Sequence, residues 1–189
     1  MRQDKQRVPP NQKVTSKFPV LHEGPIPAFD PEIWDFVMEG LVEKPMRLGY
    51  RDFLKLPTVV RVSDFHCVTG WSRMDNKWEG VAFKTISELV KPSKEAKYVT
   101  IVAEGDYTTS LPLEDLLDDD VLLAYRFDDK PLEPQHGGPL RLVVPKRYAY
   151  KSAKWVRKLR FTAEQELGYW EKRGYSNTAD PWKEERYTS

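Results

Sequence analysis

The chain has 189 residues, 40% hydrophobic and 12% aromatic, enough for one compact domain with a sizeable core. Its 30 basic and 29 acidic residues leave a net charge of +1, which argues against a nucleic-acid binder relying on a general basic field, though a local basic patch remains possible. The single cysteine excludes an intramolecular disulfide framework, and it excludes a zinc or iron–sulfur site ligated by cysteines of this chain alone.

Residues 1–16 lack apolar periodicity and are expected to form a mobile N-terminal arm. The N-terminus has no apolar h-region and no twin-Arg pair, and no stretch approaches the length of a membrane span; a soluble cytoplasmic protein is expected. An ordered domain is expected over 17–175, opening on KFPVLHEGPIPAF, which the prolines force into an extended path. WDFVMEG (34–40) alternates as a strand ended by Gly40, and YRDFLKL (50–56) reads as a short helix stopped by Pro57. TVVRVSDF (58–65) is a β-branched strand that places Cys67 at a strand end or in the following loop.

WEGVAF (78–83) reads as a strand, and residues 85–91 as a helical turn with Thr85 and Glu88 in capping-box spacing. YVTIVAEG (98–105), VLLAYRF (121–127) and PLRLVVP (139–145) read as strands, with a short helix in LEDLLDD (113–119). Residues 158–161 suggest a last strand before a short helix near Ala163. The polar segment 176–189 is expected to be a tail that packs over the surface or frays. Short strands interleaved with helices of one or two turns, without regular long βα alternation, predict an α+β domain with mixed β-sheets and short helices.

Four groups of residues bear chemistry. Cys67 sits in SDFHCVTGWSR (63–73) and can be a buried filler, a nucleophile or a metal ligand. Read alone it favours the first, since free cysteine behaves as a small hydrophobe. His66 and Arg73 stand near it in sequence, but adjacent strand residues face opposite ways, so adjacency does not establish pairing. The stretch QHGGPLRLVVPKRYAYKSAKW (135–155) joins two glycines to His136, Arg141, Lys151 and Lys154. Basic side chains, hydroxyls and exposed backbone N–H groups there suit phosphate or another anion, with a solvated basic turn as the plain alternative. The pattern is neither a Walker A loop nor a Rossmann fingerprint. The three histidines, His22, His66 and His136, occur in no spacing that defines a metal site by itself. Finally, GYWEKRGY (168–175) alternates aromatic and basic residues, as in helix-end cation–π packing or in a loop that brings a Tyr or Arg to the rim of a site.

Taken in this order, the groups resemble the sulfite oxidase family of molybdopterin-dependent oxidoreductases. The fullest match is LLAYRFDDKPLEPQHGGPLRLVVPKRYAYKSAKWV (122–156), supported by KFPVLHEGPIP (17–27), a cysteine followed by Gly-Trp, and GDYTTSLP (105–112). The resemblance covers about residues 17–175. It implies a molybdopterin-binding fold of the sulfite oxidase type, with molybdenum carried by molybdopterin as the cofactor. It makes Cys67 the one protein thiolate on molybdenum, beside two dithiolene sulfurs of the pterin; a thiolate is the soft donor such a centre calls for. It gives cofactor contacts to His136 and Arg141, to Lys151, Ser152, Ala153 and Lys154 around the phosphate, to Thr109 and Asp106, and to His22 and His66. It places Tyr175 and Arg173 near the metal, with Thr69 lining the pocket.

Against the family pattern, Ala149 replaces a glycine, Asp128-Asp129 replaces Asn-Gly, and Val-Thr-Gly-Trp follows the cysteine where true sulfite oxidases have Ala-Gly-Asn-Arg. No counterpart of their dimerisation or haem domains is read in the sequence. The Val-x-x-Trp pattern is closer to the bacterial branch that includes the catalytic subunit of methionine sulfoxide reductase. The resemblance implies an enzyme moving an oxygen atom to or from a small molecule or a sulfoxide- or sulfite-type substrate, with a separate electron-transfer partner and no nucleic acid. A molybdopterin carrier without turnover and a metal-free interaction domain are the rival readings.

Overall fold

The computed structural model describes residues 7–188. Two β-sheets share one core, joined by short helices, so the α+β expectation holds. The first sheet runs β1 (Lys13–Val14), β5 (Trp71–Ala82), β8 (Leu122–Phe127) and β10 (Arg141–Val143), with β4 (Thr58–His66) also paired to β5 and β9 (Lys130–Pro131) to β8. The second runs β3 (Met46–Gly49), β2 (Asp35–Gly40), β11 (Val156–Thr162), β6 (Tyr98–Ala103) and β7 (Thr108–Pro112). Helices α1 (Tyr50–Phe53), α2 (Phe83–Val90) and α3 (Leu113–Leu116) sit in the connections. Among the described residues no helix is long and apolar enough to cross a membrane.

Period-2 alternation explains why the most apolar strands have so few polar residues. Leu123 and Leu142 face the core between the sheets, with Phe36, Met38, Ile101 and Phe161. Leu122, Ala124 and Val143 face the other way, into a second cluster with Phe65 and Trp78. The first sheet is thus covered on both faces, and its central strands read as continuous hydrophobic runs. Where β5 passes β8 the register shifts between Glu79 and Gly80. A Cβ on Gly80 would stand 2.0 Å from the Leu123 carbonyl oxygen, so the crossing requires glycine.

Several local expectations are corrected. The described part of the expected mobile arm, from Arg7 to Ser16, is laid against the body. Lys13 and Val14 pair in parallel with Trp71 and Ser72, and the Arg7 guanidinium reaches Asp64 and Asp75. Residues 1–6 of that arm lie outside the described residues. Helix α2 starts at Phe83 after Ala82, without a side-chain cap, so Thr85 and Glu88 lie inside the helix and form no capping box there. What fixes this helix is its buried face of Phe83, Ile86 and Val90. No helix forms near Ala163. Instead Glu166 accepts from Thr100 Oγ1 at 2.9 Å while its carbonyl takes the Ser110 hydroxyl, which lays the segment along β6 and β7. Strand β5 begins at Trp71, seven residues before the apolar stretch that announces it. The tail 176–188 keeps to the packed one of its two expected courses, with Tyr148 N–H donating to the Ala179 carbonyl at 2.8 Å and the Arg186 guanidinium donating to the Val68 carbonyl.

Candidate active site

Strand β4 ends at His66, and the chain reverses through Cys67–Gly70 into β5. Cys67 N–H donates to the Trp71 carbonyl at 2.8 Å, and Gly70 N–H donates to the Cys67 carbonyl at 3.0 Å. Gln12 Nε2 donates to the same carbonyl at 3.1 Å, so the described N-terminal segment braces the turn. Alternation then separates the two neighbours. His66 points away, its Nδ1 2.8 Å from Ser72 Oγ and its ring against Trp182. Cys67 points into a cavity of about 380 Å³ walled by Phe18, Leu21, His22, Thr69, Arg141, Ser152, Ala153, Lys154 and Tyr175, among others. Its Sγ lies 3.1 Å from Thr69 Oγ1. Burial pushes the thiol up, against the pull of Thr69, Arg186 and Lys154.

The same cavity is lined by two basic side chains. Arg141 leaves β10 on the face of the second cluster and is only 2% exposed. Its guanidinium carbon lies 5.1 Å from the ring centre of Phe65, 5.3 Å from that of Trp78 and 5.9 Å from that of Phe18. Its Nη1 donates to the His136 carbonyl at 2.8 Å and its Nη2 to the Ser152 carbonyl at 3.0 Å. The Nε has no partner, and burial lowers the group to about 9. Lys154 donates to the carbonyls of Leu21 (2.8 Å) and Gln135 (2.7 Å), and burial beside Arg141 brings it down to about 7. Among the described residues neither cation pairs with a carboxylate. Gly137 lets the two approach, since a Cβ there would meet the Cβ atoms of Arg141 and Lys154 at 3.0 Å.

Of the residues expected at the site, Cys67, Thr69, His22, Arg141, Ser152, Ala153, Lys154 and Tyr175 come together in this wall. Six do not. His66 faces Ser72. Asp106 lies in the exposed β6–β7 turn. Thr109 donates to Glu171 Oε1 at 2.6 Å, behind the wall. The His136 ring stacks on Phe18 at 4.2 Å, with its buried Nδ1 unpartnered, so it serves the site through its carbonyl on Arg141. Lys151 is fully buried in an ion pair with Glu171 and donates to the Ser110 carbonyl at 3.0 Å. Arg173 lies exposed over the Tyr169 ring, 3.6 Å from its centre. Tyr107, Tyr150, Trp155 and Trp170, with Glu23, also line the cavity without having been singled out. The repeated aromatics within YAYKSAKW and GYWEKRGY were the available signal.

The Lys151–Glu171 pair positions the wall. It ties the segment bearing Trp170 and Tyr175 to β7 and to the turn before Ser152–Lys154. Among the described residues no three His, Cys, Asp or Glu side chains converge on a metal position. The donor set instead fits a metal brought in by an anionic organic ligand: a single soft thiol, an orphaned Arg141 Nε, two unneutralised cations and an apolar aromatic wall.

Comparison with known proteins agrees with that fit. Residues 23–170 match the family model described as oxidoreductase molybdopterin binding domain. The oxidoreductase YuiH of Bacillus subtilis is 48% identical over 183 residues, covering 96% of this chain and 92% of that protein. The protein-methionine-sulfoxide reductase catalytic subunit MsrP of Campylobacter jejuni is 34% identical over 160 residues, covering 76% of this chain and 54% of that protein. The chain thus spans nearly all of the first relative and about half of the second. The crystal structure of the sulfane dehydrogenase SoxCD from Paracoccus pantotrophus superposes with a TM-score of 0.70 at 23% identity, over 76% of this chain and 42% of that one, a likeness of fold.

Two measurements check the electrostatics around this wall. Glu171→Leu leaves the Lys151 ammonium buried alone and should cost about 3–5 kcal/mol in urea unfolding, most of which Lys151→Met in the same chain should restore. His66 is held down at about 4 by burial, opposed by Asp64. Between pH 6.5 and 4 the unfolded chain therefore binds the extra proton, and stability falls as pH drops through that window. From pH 7 to 5 the loss due to His66 should be roughly 2 kcal/mol and should be missing from a His66→Gln variant.

Proposed function

Because the chain belongs to the sulfite oxidase family of molybdopterin-binding oxidoreductases, we propose that Cys67 gives its thiolate to molybdenum and that the enzyme transfers an oxygen atom to or from a sulfoxide- or sulfite-type substrate. Its family makes it an enzyme with a molybdopterin cofactor, so the carrier without turnover and the metal-free interaction domain fall away as readings. The observation that carries the proposal is the placement of Cys67 Sγ on the same cavity as two cations without carboxylate partners.

The bound cofactor supplies oxygen-atom and electron transfer. The chain's own residues hold, orient and shield it. Arg141 and Lys154 would meet its negative charge, and Arg141 is already aimed by the carbonyls of His136 and Ser152. Such preset donors need no reorganisation when an anion arrives. Phe18, Phe65 and Trp71 would exclude water from the sulfur side of the cavity. The phenol of Tyr175 lies in the wall with neutral and aromatic neighbours, where burial raises it and keeps it protonated at neutral pH. It is therefore a hydrogen-bond donor for the oxygen of a substrate and a group able to pass a proton to it. Val68, Thr69, Trp170 and Tyr175 line the cavity with neutral side chains, while the charges of Arg186 and Lys154 act on Cys67. A sulfoxide is the substrate in the name of the relative MsrP, and that name supports this choice of substrate class. Electrons would come from a separate carrier.

Protein made in a host that synthesises the cofactor should contain molybdenum in about a one-to-one ratio and reduce an alkyl sulfoxide with reduced benzyl viologen. Cys67→Ser should keep the fold and lose the turnover; undiminished turnover would remove Cys67 from the metal. Arg141→Ala should lower cofactor occupancy roughly 10- to 100-fold at limiting cofactor. Full occupancy in that variant would mean the buried cation does not face the cofactor.

A further inference from the structure

The family match ends at residue 170, but the chain beyond it wraps the site. Tyr175 and Tyr187 form an antiparallel bridge, Ser176 N–H donates to the Arg186 carbonyl, and Thr188 N–H donates to the Gly174 carbonyl at 2.9 Å. The result is a short hairpin with one arm at the cavity wall and the other at the Cys67 turn. Its first arm puts Tyr175 in the cavity wall. Its second arm carries Arg186, whose Nη1 donates to the carbonyl of Val68, the residue after Cys67. The Arg186 guanidinium carbon lies 5.1 Å from the ring centre of Tyr148. Its carboxylate neighbour, Glu184, stands off at 3.9 Å, and the same Oε1 accepts from Asn11 Nδ2 at 2.7 Å. The strong donor of Arg186 is therefore directed at the backbone of the Cys67 turn.

We infer that Arg186 is a positioning residue that, by gripping the Val68 carbonyl, fixes the Cys67–Gly70 turn and sets the direction of the Cys67 sulfur relative to Tyr175. Backbone hydrogen bonds hold the ends of the turn, from Cys67 N–H to the Trp71 carbonyl, from Gly70 N–H to the Cys67 carbonyl and from Lys13 N–H to the Gly70 carbonyl, and the Val68 carbonyl between them is held by Arg186. Gln12 holds the Cys67 carbonyl from the N-terminal segment, and Arg186 holds the next carbonyl from the tail. One hairpin thus delivers the phenol and aims the thiol, so the two groups share a single frame. Released from Arg186, the sulfur would sample more directions, and small misplacements of a reacting group are costly in rate. The inference rests on the reading of Cys67 as the metal's thiolate.

The test uses molybdenum-loaded parent, Arg186→Ala, Arg186→Lys and Cys67→Ser, with molybdenum content, the Mo(V) electron paramagnetic resonance spectrum, thermal melting, and dimethyl sulfoxide turnover with reduced benzyl viologen. Arg186→Ala should load molybdenum like the parent, because Arg141 and Lys154 are intact. It should nevertheless show shifted g-values and a kcat lowered roughly 10- to 100-fold, with KM within about twofold. Arg186→Lys, which keeps a cationic donor, should recover much of the parental spectrum and rate. A parental spectrum and rate in Arg186→Ala would overturn the inference. So would Ala and Lys variants equally impaired with equally lowered melting temperatures, since Arg186 would then be a tail anchor only. Identical spectra from the parent and Cys67→Ser would instead sink the reading of Cys67, whatever the Arg186 variants do.

Discussion

The site is organised by a guanidinium taken out of water. Arg141 lies beneath the rings of Phe65, Trp78 and Phe18, where it is stripped of solvent and pushed down to about 9. Two main-chain carbonyls orient it, but a carbonyl dipole does not cancel a charge, and removing an ion from water costs several kcal/mol. The Nε with no partner and the neighbouring Lys154 sharpen the imbalance. A wall built this way is complementary to an anion entering from the cavity. Gly137, by letting Arg141 and Lys154 approach, makes the concentration of charge sterically possible.

Around that charge the chain arranges a separate set of restraints for the sulfur. The Cys67 turn closes a hairpin of the first sheet, and its carbonyls are taken up by Gln12 from one end of the chain and Arg186 from the other. Both residues fall outside the family-matched region 23–170, as do His22 and Tyr175 in the cavity wall. The matched region therefore supplies the cation wall and the thiol, while the flanking segments finish the chamber. The buried Lys151–Glu171 pair joins the two parts, tying residues beyond the match to β7 and to the turn before Ser152. A buried ion pair is a weak source of net stability, and its better-supported use is to fix one arrangement among several.

Much of the fold was legible because it rests on short-range rules. The runs LLAYRF and RLVV announced strands, and the β-branched stretch before Cys67 placed the thiol at a strand end. The polar start of β5 was hidden, because WSRMDNK borrows its pairing from β4 and its order from distant partners such as Asp128. The helix expected near Ala163 failed for the same reason: tertiary hydrogen bonds to Thr100 and Ser110 outweigh local propensity there. At the site, motif order brought Cys67, Arg141, Lys154 and Tyr175 into view. It could not say which basic residue faces inward. Lys151 and Lys154 stand three apart, yet one is bound to Glu171 and the other opens on the cavity, a difference set by partners far away in sequence. His66 and Cys67 show the reverse, since strand alternation alone separates them. Arg186 had no local signal, because its role depends on the tail folding back.

The central claim is that one protein sulfur completes the coordination of a metal held by an anionic organic ligand. X-ray absorption at the molybdenum edge counts the sulfur neighbours directly, in the loaded parent and in Cys67→Ser. The account predicts one more sulfur neighbour in the parent than in the variant. Equal sulfur counts, with metal bound in both, would contradict it.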